Sequence, residues 1–306
     1  MREYDINQFE IRSGTSDRAI LEEVIQRRVY LKNFILPFIK RNGLIIDIGS
    51  HIGSFTIQAC SLLHPKTVVT LEPDQDNFNY LMKNITKAKF ANLVHPVQVA
   101  LWNFPTNKKL YCQTSSTSLV PSWHKLTNIR GNIASDLTTV QSVQADTLDN
   151  TLKSLGLENA HIELIKIDVE GAEEQVLKGS SRALRRCKVV IGELHETVFA
   201  DDEFRKLMKN FVVIIGEPFT SFRVRYFWAV RRTVLRNKSA LKEFLRAAHA
   251  AEKHDSIWRA RQQEERIQAL ETEIESIRSS ISWRITAPHR LLGSFLLGLR
   301  RGKRNE

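Results

Sequence analysis

The chain has 306 residues, 42% of them hydrophobic and 26% charged, with a net charge of +11; this composition excludes a disordered or fibrous chain and leaves room for one α/β domain plus further elements. The charge is uneven: residues 223–306 hold 19 Lys/Arg against 9 Asp/Glu, whereas residues 1–222 hold 26 against 25, so the larger part lacks the basic reading surface that a nucleic-acid partner requires. Cys60, Cys112 and Cys187 show no metal or C-x-x-C spacing, the N-terminus has no apolar leader core and no run reaches transmembrane length, so a cytoplasmic protein with unpaired core or surface cysteines is expected.

Thr15, Ser16 and Asp17 are N-cap residue types, and Ile20, Leu21, Val24 and Ile25 follow at helical spacing. Leu31, Phe34, Ile35 and Phe38 repeat the pattern with Pro37 as a break, so residues 1–43 are expected to form a helical lid before the first strand. The apolar run Leu44–Ile48 is short enough for a buried parallel strand; Gly49 and Gly53 follow, and then Phe55, Ile57, Ala59 and Leu62 begin a helical run. Such a turn lets backbone N–H groups and a helix N-terminus approach a ligand closely. A second β-branched run, Thr67–Leu71, ends in Glu72-Pro73, where a carboxylate is placed to take both hydroxyls of a ribose.

The glycine spacing separates the possible nucleosides. A dinucleotide site needs a middle glycine for the pyrophosphate, and Ser50-His51-Ile52 stand there instead, so no phosphate is expected. The acid Asp47 suits a positively charged ligand, and S-adenosylmethionine satisfies both the turn and the strand-end Glu. The candidate cofactor residues are Asp47, Gly49, Ser50, His51, Gly53, Glu72, Pro73 and Ala100.

Asp74 to Lys89 is predicted as a helix with Phe78, Leu81, Met82 and Ile85 on one face, and Leu93 to Leu101 as the third strand; this βαβαβ order requires right-handed crossovers and a parallel sheet. Residues 102–141 are less periodic and rich in Ser, Thr and Asn, as at 114–118, and are expected to be a long loop over the substrate side. A strand and helix over 140–155 precede the fourth core strand, Ile162–Ile167, which ends in Asp168-Val169-Glu170-Gly171-Ala172-Glu173 and turns at Gly171 into a helix ending near Gly179. The fifth strand, Val189–Gly192, ends in Glu193-Leu194-His195-Glu196; a helix over 201–210 and strands over 211–215 and 226–230 complete seven strands. The fold expected is α/β, a Rossmann-like doubly wound, mostly parallel seven-stranded sheet with flanking helices over 44–232, and a helical C-terminal extension over 233–306.

The stretches Asp47–Thr56, Leu71–Pro73, Thr147–Asp149, Lys166–Glu173 and Glu193–His195, in order at the ends of successive strands, resemble the FkbM family of class I S-adenosylmethionine-dependent methyltransferases, over about residues 14–230. The resemblance implies O-methylation of hydroxyls on sugars or related natural products. His51 departs from it, since the family more often has Asn there; a His still offers the ligand a hydrogen bond.

In the extension, Ile267, Leu270, Ile274, Ile277 and Ile281 follow the 3-4-3-4 spacing of a heptad seam within 260–282, and Arg266 with Glu271 and Glu273 with Arg278 form attractive pairs between parallel copies, which points to a homo-oligomer. Beyond it, Leu291, Leu292, Phe295, Leu296 and Leu299 lead to Arg300-Arg301-Gly302-Lys303-Arg304, a basic amphipathic segment over 289–304 suited to lying on an anionic membrane surface at the cytoplasmic face. The Trp-Arg-Ile-Thr-Ala-Pro piece at 283–288 resembles tails of bacterial enzymes of surface-polysaccharide assembly.

A sulfonium carries an activated methyl, so the protein's task is alignment and removal of the acceptor's proton. Asp168, Glu170, Glu193 and His195, at the carboxyl ends of strands four and five, are the catalytic candidates; His195 is favoured as general base because imidazole titrates nearest neutrality, with Glu193 orienting it or Asp168 substituting for it. A divalent metal on Asp168, Glu193 and His195 is the other arrangement these residue types allow. The substrate expected is a glycan or lipid-linked saccharide of bacterial surface polysaccharide. An O-methyltransferase of a small natural product and an inactive membrane-bound scaffold are the competing readings; a dehydrogenase is disfavoured by the missing glycine.

Overall fold

The computed structural model describes residues 4–113, 123–126, 137–195, 199–218, 224–235, 239, 241–250 and 272, and the chain separates into two compact units, residues 1–251 and 252–306. Apart from Thr272, the second unit lies outside the described residues, and with it both the expected heptad seam and the basic amphipathic segment. Among the described residues no helix is long and apolar enough to cross a membrane.

The first unit opens with α1 (Asp17–Leu21), which runs directly into a π-helical turn, Glu22–Gln26. The helix expected over 15–41 is therefore confined to its first third, and the remainder is irregular apart from the 3-10 turn Leu36–Phe38. The apolar residues of this segment pack from the irregular chain itself: Val29, Tyr30, Leu31, Phe34 and Ile35 join Leu21, Val24 and Ile25 in the main core. Packing here overrides helical propensity.

The strand–helix succession that follows is β1 (Leu44–Ile48), α2 (Ser54–Leu63), β2 (Thr67–Leu71), α3 (Gln75–Lys87), β3 (Val94–Val97), β4 (Ala100–Leu101), β5 (Thr106–Gln113), β6 (Trp123–Leu126), β7 (Leu137–Asp146), α4 (Leu148–Ser154), β8 (Ile162–Ile167), α5 (Glu173–Lys178), α6 (Ser181–Arg186), β9 (Cys187–His195), α7 (Asp201–Leu207), β10 (Phe211–Ile215) and β11 (Val224–Arg231). Seven strands form one sheet in the order β10-β11-β9-β8-β1-β2-β3, parallel except for β11, which runs antiparallel to both neighbours. This is the doubly wound Rossmann-like sheet that the sequence predicts, with a switch of strand direction of travel at β1, where such sheets open a ligand crevice.

Alternation along each strand divides the core between the two faces. On β1, Ile45 faces one cluster and Leu44, Ile46 and Ile48 the other; on β9, Val189 and Ile191 join the first and Val190 and Leu194 the second. All five residues of β1 and all six of β8 are buried, and each fully buried Ile or Leu among them is worth about 1.5–3 kcal/mol. Cys60 and Cys187 are free and buried.

Two expectations from the sequence are corrected. The third strand does not run from Leu93 to Leu101: it leaves the sheet after Val97, and Ala100–Leu101 pairs instead with β7 in a second sheet, β4-β7-β5-β6. The stretch 102–141 accordingly carries strands where a loop is expected. Its inner residues Leu110 and Val143 meet Ala100, Trp102, Ala145 and Ala172 in a small third core, so alternation in this insertion is real but short and interrupted by polar residues. On α3, Leu81 and Ile85 are buried as expected, whereas Met82 is 40% exposed, and Asn77 and Asn84 take its place on the inner face.

Candidate active site

The corner between β1 and α2 is built by backbone geometry. Gly49 and Gly53 both have positive φ, +76° and +90°, and the N–H groups of Gly49 and Ser50 donate to the carbonyl of Leu71 on the neighbouring strand. A Cβ on Gly49 would lie 1.7 Å from the carbonyl oxygen of Asp168, so the glycine is required by close passage of the loop after β8. Gly53 caps α2 with no side-chain hydrogen bond, which leaves the first N–H groups of that helix without a side-chain acceptor. Ser50 is buried, its hydroxyl donating to the carbonyls of Asp47 and Leu71 and meeting Thr70.

Glu72 sits at the end of β2, 4% exposed, and one of its oxygens accepts from the backbone N–H of His51 at 2.7 Å while the other accepts from that of Asp74 at 3.0 Å. The carboxylate thus ties the glycine turn to the second strand, and Oε1 also accepts from the Asn77 side-chain amide at 3.4 Å. His51 has a left-handed backbone, φ +52°, and its ring reaches back to the N-terminal segment: Nε2 lies 3.1 Å from Arg12 and 3.4 Å from Asp17 Oδ1, and Arg12 and Asp17 are joined by hydrogen bonds of 2.7–3.0 Å. Asp17 is fully buried, and Arg12 holds its carboxyl below the usual range although burial opposes this. Pro73 is half-buried beside Glu72. Ala100 is turned into the second sheet, opposite Ala145.

Asp47 and Lys166 lie under the turn. Asp47 is fully buried, accepts from Thr56 at 2.6 Å and stands 3.5 Å from Lys166 Nζ; Lys166 also donates to the Gly49 carbonyl at 2.7 Å and lies 3.2 Å from Asp168 Oδ2. Burial raises the Asp47 carboxyl, opposed by Lys166 and Thr56; burial lowers Lys166, but Asp168 and Asp47 outweigh it and leave its proton held more tightly than usual. Asp47 therefore braces the turn from below through a buried cation.

At the crevice beyond β8 and β9 stand two linked groups of side chains. In the first, the hydroxyl of Tyr30 lies 2.9 Å from Asp168 Oδ2 and 3.0 Å from Glu193 Oε1. Asp168 and Glu193 are half-buried, and Tyr30 is 3% exposed behind them, packed edge-on against Phe55 and Tyr226. Burial, and then the neighbouring carboxylates Asp168, Glu170 and Glu23, push Glu193 well above the usual carboxyl range. In the second, His195 is 6% exposed between Glu173, 2.8 Å from Nδ1, and Glu170, 3.2 Å from Nε2. Burial favours its neutral ring, but Glu173 and Glu170 outweigh burial and push it up to about 11. Glu170 has φ +52°, a backbone conformation unusual outside glycine that holds its side chain against the ring.

The structure thus brings Asp168, Glu170, Glu193 and His195 to one crevice, as the sequence places them. The His195 ring, held between Glu173 and Glu170, keeps its proton more tightly than a free imidazole. Tyr30, Lys166, Glu173 and Arg12 contact candidate residues and are absent from the candidates read in the sequence. Lys166 and Glu173 lie within the Lys166–Glu173 stretch and were legible there as ionisable residues at a strand end; Tyr30 and Arg12 carry no local signal. Among the described residues no group of three or more His, Cys, Asp and Glu is disposed to hold a metal ion.

The residues present fit an adenosyl amino acid: an uncapped helix N-terminus for its carboxylate, a strand-end Glu for its ribose, and acid at the crevice for its cation. Comparison with known proteins agrees in kind. The family model described as the methyltransferase FkbM domain matches residues 47–213. The hexuronic acid methyltransferase AglP of Haloferax volcanii is 28% identical over 170 residues, which cover 55% of this chain and 62% of that protein, so the chain spans less than two thirds of the relative's length. Among solved structures, a methyltransferase FkbM from Methylobacillus flagellatus aligns at TM-score 0.43 and 11% identity, over 73% of this chain and 56% of that one. TrmK of M. capricolum, in complex with S-adenosylhomocysteine, aligns at TM-score 0.39 and 12% identity, over 67% of each chain.

Proposed function

The chain belongs to the FkbM family of S-adenosylmethionine-dependent methyltransferases, and from that membership we propose that it transfers a methyl group to a hydroxyl of a sugar or glycan. The observation that carries the choice of acceptor is the likeness to a hexuronic acid methyltransferase across the catalytic domain. S-adenosylmethionine, when bound, supplies an electrophilic methyl on a sulfonium. Glu72 and the N-terminus of α2 would hold it, with Gly49, Ser50, His51 and Gly53 shaping the turn, and the chain's own chemical work lies at the acceptor.

A sugar hydroxyl is a weak nucleophile until its proton is taken. Asp168, half-buried at the crevice and 3.2 Å from Lys166, is the base in this reading. Glu193 borders the same space, and His195 is fixed between Glu170 and Glu173. The basic amphipathic extension would hold the enzyme at the cytoplasmic face of a membrane, where a lipid-linked surface glycan is presented. The test is calorimetry of the full chain with S-adenosylmethionine, S-adenosylhomocysteine and NAD, followed by methyl transfer to uronate-containing oligosaccharides. Binding of the first two and not of NAD, with methylated sugar as product, is expected; NAD binding or failure to bind S-adenosylhomocysteine would overturn the reading.

A further inference from the structure

We propose that Tyr30, brought in from the N-terminal segment, is a positioning residue for methyl transfer: its hydroxyl links Asp168 and Glu193 so that the pair shares one proton on the Glu193 side and Asp168 is left to serve as the base. The inference rests on the methyltransferase reading above and concerns the same crevice.

The geometry is a single phenolic oxygen 2.9 Å from one carboxyl and 3.0 Å from another. A phenol has one hydrogen to donate, so it serves one carboxylate; the second carboxyl can approach the same oxygen favourably only by bringing a proton of its own. The surroundings decide which carboxyl does so. Lys166 Nζ lies 3.2 Å from Asp168 and 3.5 Å from Asp47. The charged groups that face Glu193 are Asp168, Glu170 and Glu23, which oppose its ionisation, His195, whose charge is already shared by Glu170 and Glu173, and Lys166, which is paired at close range with Asp168 and Asp47. Tyr226, opposite Glu193 on β11, donates its own hydroxyl to Glu23. The order is therefore Glu193 O–H to Tyr30 oxygen, and Tyr30 O–H to the Asp168 carboxylate. In the transfer step the acceptor's hydroxyl proton passes to Asp168, and the O–H electron pair stays on the acceptor oxygen, which bonds the methyl carbon as the carbon–sulfur pair returns to sulfur.

Tyr30 is well placed for such a role because its position is fixed independently of the carboxyls. Its ring packs on Phe55 and Tyr226, Lys166 lies over its face at 5.4 Å, and its carbonyl accepts from Trp228 Nε1 at 3.0 Å. Burial, and then Asp168 and Glu193, raise the phenol well above its ordinary value, so it keeps its proton.

Tyr30→Phe removes the hydroxyl and leaves these ring contacts. Infrared difference spectra of the full chain with S-adenosylhomocysteine bound should show a protonated carboxyl band at neutral pH that is lost in Glu193→Gln and shifted in Tyr30→Phe. With a uronate oligosaccharide as acceptor, Tyr30→Phe should lower kcat by about 10- to 100-fold and leave the KM for S-adenosylmethionine unchanged. A wild-type protein without the band, a band unmoved by Tyr30→Phe, or a variant with wild-type kcat would overturn the proposal. Failure of the wild-type protein to methylate any sugar would refute the functional reading instead, and the carboxyl band would still decide where the proton sits.

Discussion

Glu72 orders the glycine turn through the N–H groups of His51 and Asp74, and in the proposed function the same carboxylate is the acceptor for the ribose. Glu72→Ala should weaken S-adenosylmethionine binding by about 1.5–3 kcal/mol, as expected for loss of a charged acceptor, and calorimetry that found wild-type affinity in a folded variant would refute the assignment. His195 makes a contribution with a definite pH dependence. Its folded value is raised from 6.5 to about 11, so the stability it adds is fully present below about pH 6.5 and is lost as the pH rises towards 11. His195→Gln should therefore narrow the fall in Tm between neutral and alkaline pH relative to wild type, and parallel curves for the two proteins would show that the ring is not held as a cation.

The elements that meet at the site do so through backbone contact between the first and fourth parallel strands. Gly49 touches the Asp168 carbonyl so closely that Gly49→Ala, strained by both φ +76° and the 1.7 Å approach, should cost about 2–4 kcal/mol of stability, read as a lowered denaturant midpoint, and should weaken cofactor binding with it. An unchanged midpoint would mean that the two loops part easily. This contact also explains what could be read in advance. The β1, β2, β8 and β9 runs were legible because fully buried parallel strands leave continuous apolar stretches, and the acids and glycines at their ends mark the crevice. The second sheet was not, because its strands β5 and β7 are polar on one side and interrupted. Nor was the course of the N-terminal segment, where Val29 to Ile35 are buried without helical regularity, and so Tyr30 could not be placed beside residues 138 and 163 positions further along the chain.

At the scale of the whole molecule, charge divides the chain into a near-neutral part, residues 1–222, and a basic part, residues 223–306. Phe244 and Ala248, on the last described helical stretch, are buried in the main core, Phe244 stacking against Phe34 and Phe38, so a cut beyond them should leave the catalytic unit folded. Truncation after Arg259 is expected to keep S-adenosylhomocysteine binding and to abolish sedimentation with anionic vesicles, since each basic residue near such a surface is worth about 1 kcal/mol; vesicle binding that survives truncation would place membrane affinity elsewhere. The most direct test of a carboxylate base acting on a sugar hydroxyl is the position of the methyl group in the product. Transfer from methyl-labelled S-adenosylmethionine to a uronate-containing oligosaccharide, followed by NMR location of the label, should give a methyl ether on a ring hydroxyl that survives mild alkali; an alkali-labile methyl ester on the uronate carboxylate, whose formation needs no proton removed, would contradict it.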